Sequence, residues 1–264
     1  MEMTNKKSIK NKALVVFDLD GTLAPTKSTI DKEMAKLLEN LLRLKPVAVI
    51  GGGKIDLFQE QLLDNLQLPQ ELLKKLFLFP TTATTFYKYE NGWKQVYAHN
   101  LGHDEVERTM SAFRQVLKKI KYKKPAKTYG KTLENRGTQV TWSALGQDVV
   151  KELGDEGVIL KNKWKDGNTP LKLKIAKLVQ DLLPDLAVHS AGYTSIDVTK
   201  KGIDKAYGLK QMEKYLKIKI KDMLFLGDAI FPGGNDYAIT KTPIDYVAVK
   251  DPEETKEVIR WILN

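Results

Sequence analysis

Two aspartates, Asp18 and Asp20, stand one residue apart where the apolar run Ala-Leu-Val-Val-Phe (residues 13–17) ends, and Gly21 and Thr22 follow them. Carboxylates this close suit a divalent cation lying between them and a phosphate, because a hard ion takes carboxylate and carbonyl oxygens and also binds substrate phosphate. With the ion offsetting the repulsion between anions, one carboxylate can attack phosphorus and the other can give or take the leaving-group proton. Gly21 lets the backbone turn sharply, and Thr22 offers a hydroxyl and an N–H to an anion. The plainer alternative is an Asp-rich turn that caps a helix.

Two further stretches could join this site. The apolar residues 223–226 run through Gly227 into Asp228, which would complete the metal set, and a Pro-Gly-Gly turn then delivers Asn235 and Asp236 to support the loop or bind metal waters. The expected ligands of one Mg²⁺ are Asp18, Asp228 and the backbone carbonyl of Asp20. The run Val47–Ile50 ends in Gly51, Gly52, Gly53 and Lys54. Three glycines allow the backbone to approach a phosphate with its N–H groups pointing at it, although an ordinary glycine-rich turn has the same composition.

The elements that position these residues follow from periodicity. Residues 13–17 read as a buried strand of a parallel sheet, which puts Asp18 at a strand carboxyl end, the edge where open α/β sheets bind ligands. Residues 30–44 carry Met34, Leu37, Leu38, Leu41 and Leu42 on one helical face. Strands at 47–50 and 76–79 with a helix at 57–66 continue a strand–helix alternation, which predicts a doubly wound parallel sheet. From residue 85 the pattern changes. Asn91-Gly92 signals a hairpin between 85–90 and 93–98, a long helix is expected at 104–121, a half-exposed strand at 137–143, a helix at 170–183 that opens on Pro170, and a second hairpin at 187–190 and 193–198. The alternating pattern resumes with a helix at 205–215, strands at 223–226 and 244–249, and a helix at 252–263. The expected fold is α/β: a Rossmann-like core of residues 1–82 and 200–264 with an α+β cap, 83–199, inserted into it.

The 264 residues suffice for such a two-part chain. With no cysteine, a disulfide, a thiolate nucleophile and a Cys-ligated zinc are all excluded, and His99, His103 and His189 are not spaced as a zinc motif. The first twelve residues are polar and basic, unlike a secretory signal, and no apolar run is long enough to cross a membrane, so a soluble cytoplasmic protein is expected. The formal charge is +10, yet only five of the 43 basic residues are arginine: Arg43, Arg108, Arg114, Arg136 and Arg260. Base reading and bidentate phosphate grips favour arginine, so the expected partner is a small phosphorylated metabolite, with no nucleic acid and no membrane, in a monomer or a cap-mediated homodimer.

The stretch Phe-Asp-Leu-Asp-Gly-Thr-Leu (residues 17–23) resembles the first motif of the haloacid dehalogenase-like (HAD) phosphatases and phosphomutases. That resemblance implies Asp18 as the nucleophile of an aspartyl-phosphate, Asp20 as acid/base and Lys205 as the lysine that neutralises the phosphate. Residues 20–25, 49–54, 202–209, 225–239 and 251–259 together look like eukaryotic-type phosphomannomutase. It implies sugar-phosphate contacts from Arg136, Ser195 and Asp197. The chain departs from that pattern at four places. Gly53 stands where HAD enzymes usually place Ser or Thr, Lys27 stands for an arginine, and Gln147 and Gly154 occupy the next two arginine positions. A mutase must hold a bisphosphorylated intermediate, and charge-assisted hydrogen bonds are worth about 1.5–3 kcal/mol each. The resulting expectation is a Mg²⁺-dependent phosphatase acting on a sugar phosphate, with a phosphohexomutase interconverting hexose 1- and 6-phosphates as the alternative and a catalytically reduced binding protein as a third.

The densest basic run, residues 118–127, has no arginine and one aromatic, Tyr122, so it is expected to be a solvated face. Titration with RNA and DNA oligomers should give no salt-sensitive micromolar binding; binding that disappears when these lysines are neutralised would contradict this.

Overall fold

The structure is a computed structural model that describes residues 9–264; the basic stretch read at positions 1–8 lies outside it. The chain forms two compact units. One comprises the chain up to Ala98 together with Asp204–Pro232 and Asp236–Asn264, and the other comprises His99–Ile203 with Gly233–Asn235.

The first unit is built on a seven-stranded sheet. In chain order its strands are β1 (Leu14–Asp18), β2 (Val47–Ile50), β3 (Leu76–Phe79), β4 (Thr85–Tyr89), β5 (Trp93–Ala98), β10 (Met223–Gly227) and β11 (Asp245–Ala248). Their spatial order is β11-β10-β1-β2-β3-β4-β5. The first five of these strands run parallel, and β4 and β5 are antiparallel. Both faces of the parallel part are buried, as its near-continuous apolar strands require. Val15, Phe17, Val49 and Leu224 pack towards Leu38 and Leu41 of α1 (Lys32–Leu44) and Ile259 of α6 (Pro252–Leu263). Leu14, Val16, Ile50 and Phe225 pack on the other face with Leu209 and Met212 of α5 (Lys205–Leu216). Each of these helices starts on an aspartate cap: Asp31 accepts from Met34 N–H, Asp204 from Tyr207 N–H and Asp251 from Glu254 N–H.

The second unit carries a four-stranded antiparallel sheet in the order β6-β7-β9-β8, formed by β6 (Leu133–Asn135), β7 (Val140–Ser143), β8 (Leu186–Ala191) and β9 (Ser195–Lys200). One face packs Trp142, Ile196 and Val198 on α3 (His103–Lys119) and α4 (Asp155–Leu182). Thr141, Ser143 and Asp197 alternate with these residues and point to the opposite face.

Three expectations are corrected. The hairpin at 85–98 was assigned to the inserted cap, but β4 pairs with β3 and extends the core sheet. The cause is packing: Phe86 stacks on Phe79 with centroids 4.5 Å apart and rings 6° from parallel, and Tyr97 and Tyr215 flank the pair. The helix expected at 170–183 begins fifteen residues earlier, at Asp155, and Pro170 lies inside it. Glycine, asparagine and proline between 157 and 170 hide this helix from propensity. Tertiary contact decides it, with Gly157 so close to the backbone of Val149 that a Cβ would lie 2.6 Å from the carbonyl oxygen. The helix expected at 57–66 is α2 (Ile55–Gln61) followed by a 3₁₀ turn, Leu63–Asn65.

Pro170 is exposed and costs α4 one backbone hydrogen bond. Pro170→Ala should therefore stabilise the chain by about 1–3 kcal/mol, seen as a higher urea midpoint with an unchanged slope.

Candidate active site

The site of the first unit is assembled from strand ends. Asp18 is the last residue of β1, and the parallel register that pairs Phe17 with Leu226 sets Asp18 level with Gly227 at the end of β10. Lys205 lies in the first turn of α5 and is 1% exposed. Its Nζ donates to Asp18 Oδ1 at 2.6 Å and to Asp236 Oδ1. The other oxygen of Asp236 accepts the Ala229 N–H at 3.1 Å. Asp18, Asp228 and Asp236 each bring one carboxylate oxygen within 4.8 Å of the others.

Room for these carboxylates comes from glycine. Gly21 has φ +87°, and a Cβ there would lie 2.5 Å from Asp228 Oδ2; at Gly227 a Cβ would press on Asp236 Oδ2.

Electrostatics follow from burial. Desolvation pushes the Asp18 carboxyl well above the usual carboxylate range; Lys205 opposes that shift, while Asp236 and Asp228 add to it. Burial alone would lower Lys205, but the attraction of Asp18 and Asp236 overrides it and holds the ammonium charged. Asp18 and Asp236 are buried and Asp228 is half-buried beside them, and buried charges persist when they are paired or coordinate a metal. An all-oxygen donor set without His or Cys suits a hard divalent cation. Thr22 Oγ1 is also buried and has no hydrogen-bond partner among the described residues, which leaves a polar atom of the same turn to be satisfied by a ligand.

Two site residues were underread in the sequence. Asp236 was assigned a supporting role, yet it is fully buried and shares Lys205 with Asp18. Gln61 was not singled out at all. It is buried on α2, and its Nε2 donates to Asp20 Oδ1 at 3.1 Å and to the Ser28 carbonyl at 3.0 Å. Asp20 Oδ1 also accepts the N–H of Lys27 at 2.5 Å, so this oxygen is held by its own turn and by α2. The available signal was a glutamine flanked by the core residues Phe58 and Leu62. Asn235 is grouped with the second unit. The loop Gly51, Gly52, Gly53 and Lys54 follows β2 in the first unit, and a Cβ on Gly53 would lie 2.6 Å from Leu57 Cδ2, so serine there needs Leu57 to move.

In the second unit Arg136 is held by its own neighbours. Its Nε donates to Glu134 Oε2 at 2.8 Å and one terminal nitrogen donates to Gln147 Oε1 at 2.9 Å, with the side chain 7% exposed. Asp197 is buried and accepts from Thr141 Oγ1 at 2.7 Å, and Ser195 sits opposite Ser143 in the sheet. Gly154 has φ 57° and ψ −133°, a conformation that side chains tolerate poorly. The missing arginine at 154 therefore coincides with a backbone requirement for glycine.

The same fold, a mostly parallel sheet, is found in solved structures of other proteins. The chain superposes on an IMP-nucleotidase of Plasmodium falciparum with a TM-score of 0.71 at 17% identity, over 98% of this chain and 69% of that one. It superposes on a trehalose-6-phosphate phosphatase of Aspergillus fumigatus with a TM-score of 0.55 at 14% identity, over 98% of each. A family profile described as eukaryotic phosphomannomutase matches residues 34–264. Among curated relatives, the phosphomannomutase of Saccharomyces cerevisiae is 27% identical over 97% of this chain and 96% of its own length. That of Encephalitozoon cuniculi is 27% identical over 92% of this chain and 91% of its own length. The chain belongs to the eukaryotic phosphomannomutase family.

Divalent binding to the three carboxylates should stabilise the fold by mass action. Millimolar Mg²⁺ is expected to raise the thermal midpoint of the intact chain, and Asp228→Asn should remove most of that rise; an equal rise in the variant would place the ion elsewhere.

Proposed function

We propose that this chain is a phosphohexomutase of the phosphomannomutase type, transferring a phosphoryl group through Asp18. The reading is supported above all by the family match over residues 34–264, in a chain whose Asp18 is buried against Lys205. The sequence alone ranked hydrolysis first; the comparisons favour the alternative, transfer between positions of one sugar.

In the proposed cycle an Asp18 carboxylate oxygen attacks phosphorus. The bond from phosphorus to the leaving sugar oxygen breaks, and Asp20 donates the proton that this oxygen takes up. With that phosphoryl group taken from a hexose bisphosphate, a hydroxyl at the unphosphorylated end of a hexose monophosphate attacks the aspartyl-phosphate, loses its proton to Asp20 and restores free Asp18, and the bisphosphate so formed turns before Asp18 attacks its other phosphate. Lys205 holds its charge throughout and offsets the negative charge gathered on Asp18 and the phosphoryl oxygens. Bound Mg²⁺, on Asp18, Asp228 and Asp236 with the Asp20 carbonyl as a further ligand, would supply charge neutralisation. Arg136, Ser195 and Asp197 are the proposed sugar-phosphate contacts of the second unit.

Hydrolysis, with water as the acceptor, is the second reading. It is favoured by the pairing of Arg136 with Glu134 and by the neutral Gln147 in place of a second guanidinium.

Incubation with mannose 1-phosphate or glucose 1-phosphate and a hexose bisphosphate activator should yield hexose 6-phosphate in excess of free phosphate. Free phosphate as the main product would make hydrolysis the function. Asp18→Asn should abolish both products while leaving the circular dichroism spectrum unchanged, and near-normal turnover by that variant would sink the mechanism.

A further inference from the structure

The turn Pro80–Ala83, between β3 and β4, holds three successive non-glycine residues in the left-handed region: Thr81 (φ 49°, ψ 48°), Thr82 (φ 56°, ψ 42°) and Ala83 (φ 63°). A single such residue is ordinary, but a run that includes two β-branched threonines is an outlier that only its surroundings can maintain. The surroundings here are hydroxyls and close packing. Thr84 Oγ1 donates to Thr81 Oγ1 at 2.5 Å, Thr81 Oγ1 lies 3.2 Å from Thr85 Oγ1, and Thr85 Oγ1 donates to the Pro80 carbonyl at 3.2 Å. The Tyr97 hydroxyl donates to the Ala83 carbonyl at 3.1 Å. Gly208 of α5 lies so near that a Cβ there would come within 3.0 Å of the Ala83 Cβ.

What the turn holds in its own right is the glycine loop after β2. Thr81 N–H donates to the Gly53 carbonyl at 2.8 Å and Thr82 N–H donates to the Gly51 carbonyl at 2.8 Å. Successive N–H groups of a strand point to opposite sides, whereas those of a helical turn point the same way, so the left-handed turn can grip two carbonyls of one loop. In a trans peptide the carbonyl and the following N–H point in opposite directions, and no peptide bond among the described residues is cis. Fixing the carbonyls of Gly51 and Gly53 on the turn therefore aims the N–H groups of Gly52 and Lys54 away from it. The same turn packs beside α5, whose first helical turn carries Lys205.

We propose that residues 81–83 are the positioning element of an oxyanion-binding loop at residues 51–54. The turn holds that loop with its peptide planes set for a tetrahedral oxyanion of the phosphate class before the anion arrives. The proposal rests on the phosphoryl-transfer reading and adds a role for residues that touch neither substrate nor metal.

The experiment compares the intact chain with Thr81→Ala/Thr82→Gly, which keeps both backbone N–H donors but removes the hydroxyl lattice and the stiffness of the turn, and with the conservative Thr81→Ser. Inorganic phosphate serves as the probe. In the double variant its inhibition constant and the KM for hexose phosphate should rise together by about tenfold, the equivalent of one charge-assisted hydrogen bond. kcat should change less than about threefold, and Thr81→Ser should behave as the intact chain. A folded double variant whose phosphate inhibition constant stays within about twofold overturns the proposal. Should the double variant not fold, amide spectra of the intact chain decide: inorganic phosphate must shift the Gly52 and Lys54 amides while Thr81 and Thr82 stay protected from exchange, and the absence of either overturns it. Phosphate binding weakened in the double variant, in a protein that turns over no hexose phosphate, would refute the mutase reading and leave this one standing.

Discussion

One buried ammonium organises the first unit. Lys205 sits between Asp18 and Asp236, each almost wholly removed from water. Separating such a pair typically costs about 3–5 kcal/mol, because an uncompensated charge is left behind. The strand ends must therefore arrive together: β1 and β10 in parallel register, and α5 with its first turn over their carboxyl edge. Lys205 pairs with Asp18 and Asp236, and Asp228 brings a third carboxylate oxygen within 4.8 Å of theirs, an all-oxygen set in a mostly buried place that suits a hard cation.

This concentration of charge explains the small residues around it. Gly21 and Gly227 yield their side-chain space to Asp228 and Asp236, and Gly208 allows α5 to lie against Ile50 and Ala83. These glycines trade chain entropy, on the order of 0.5–1 kcal/mol each relative to alanine, for close approach of charged groups. The left-handed threonines are a similar concession, at roughly 1–2 kcal/mol per residue. Several unfavourable local choices gather within one edge of one sheet, as is expected where a site and not stability alone governs the sequence.

Much of this edge was legible before the fold was known. Short apolar runs read as buried parallel strands, and two of them lead into aspartates, so β1, β2 and β10 and the residues Asp18, Asp228 and Lys205 could be named from pattern and resemblance. The failures share a cause. Gln61 and Asp236 take their roles from partners 41 and 31 residues away, and no local periodicity encodes such a contact. The β4–β5 hairpin was recognised through Asn91-Gly92, but its attachment to β3 depends on Phe86 finding Phe79. The amino-terminal half of α4 is held by tertiary packing against its own propensity.

The second unit presents the converse economy. Its best candidate guanidinium already has partners in Glu134 and Gln147, so an incoming phosphate must compete with a carboxylate that is covalently at hand. A charge-assisted hydrogen bond to a new anion then repays only the difference between two similar bonds, and the neutral Gln147 adds no cation to tip it. Gly154 is fixed as glycine by its backbone, so that cation cannot be restored by a simple exchange at 154. On the proposed mutase reading, the demanding step is retention of the doubly phosphorylated sugar while it turns, and not the attack of Asp18. An enzyme limited in this way transfers the phosphoryl group when the sugar reorients faster than it escapes, and loses it to water otherwise. On this view the partition between mutase and phosphatase is a property of the Arg136 pair, set apart from the chemistry at Asp18 that both reactions share.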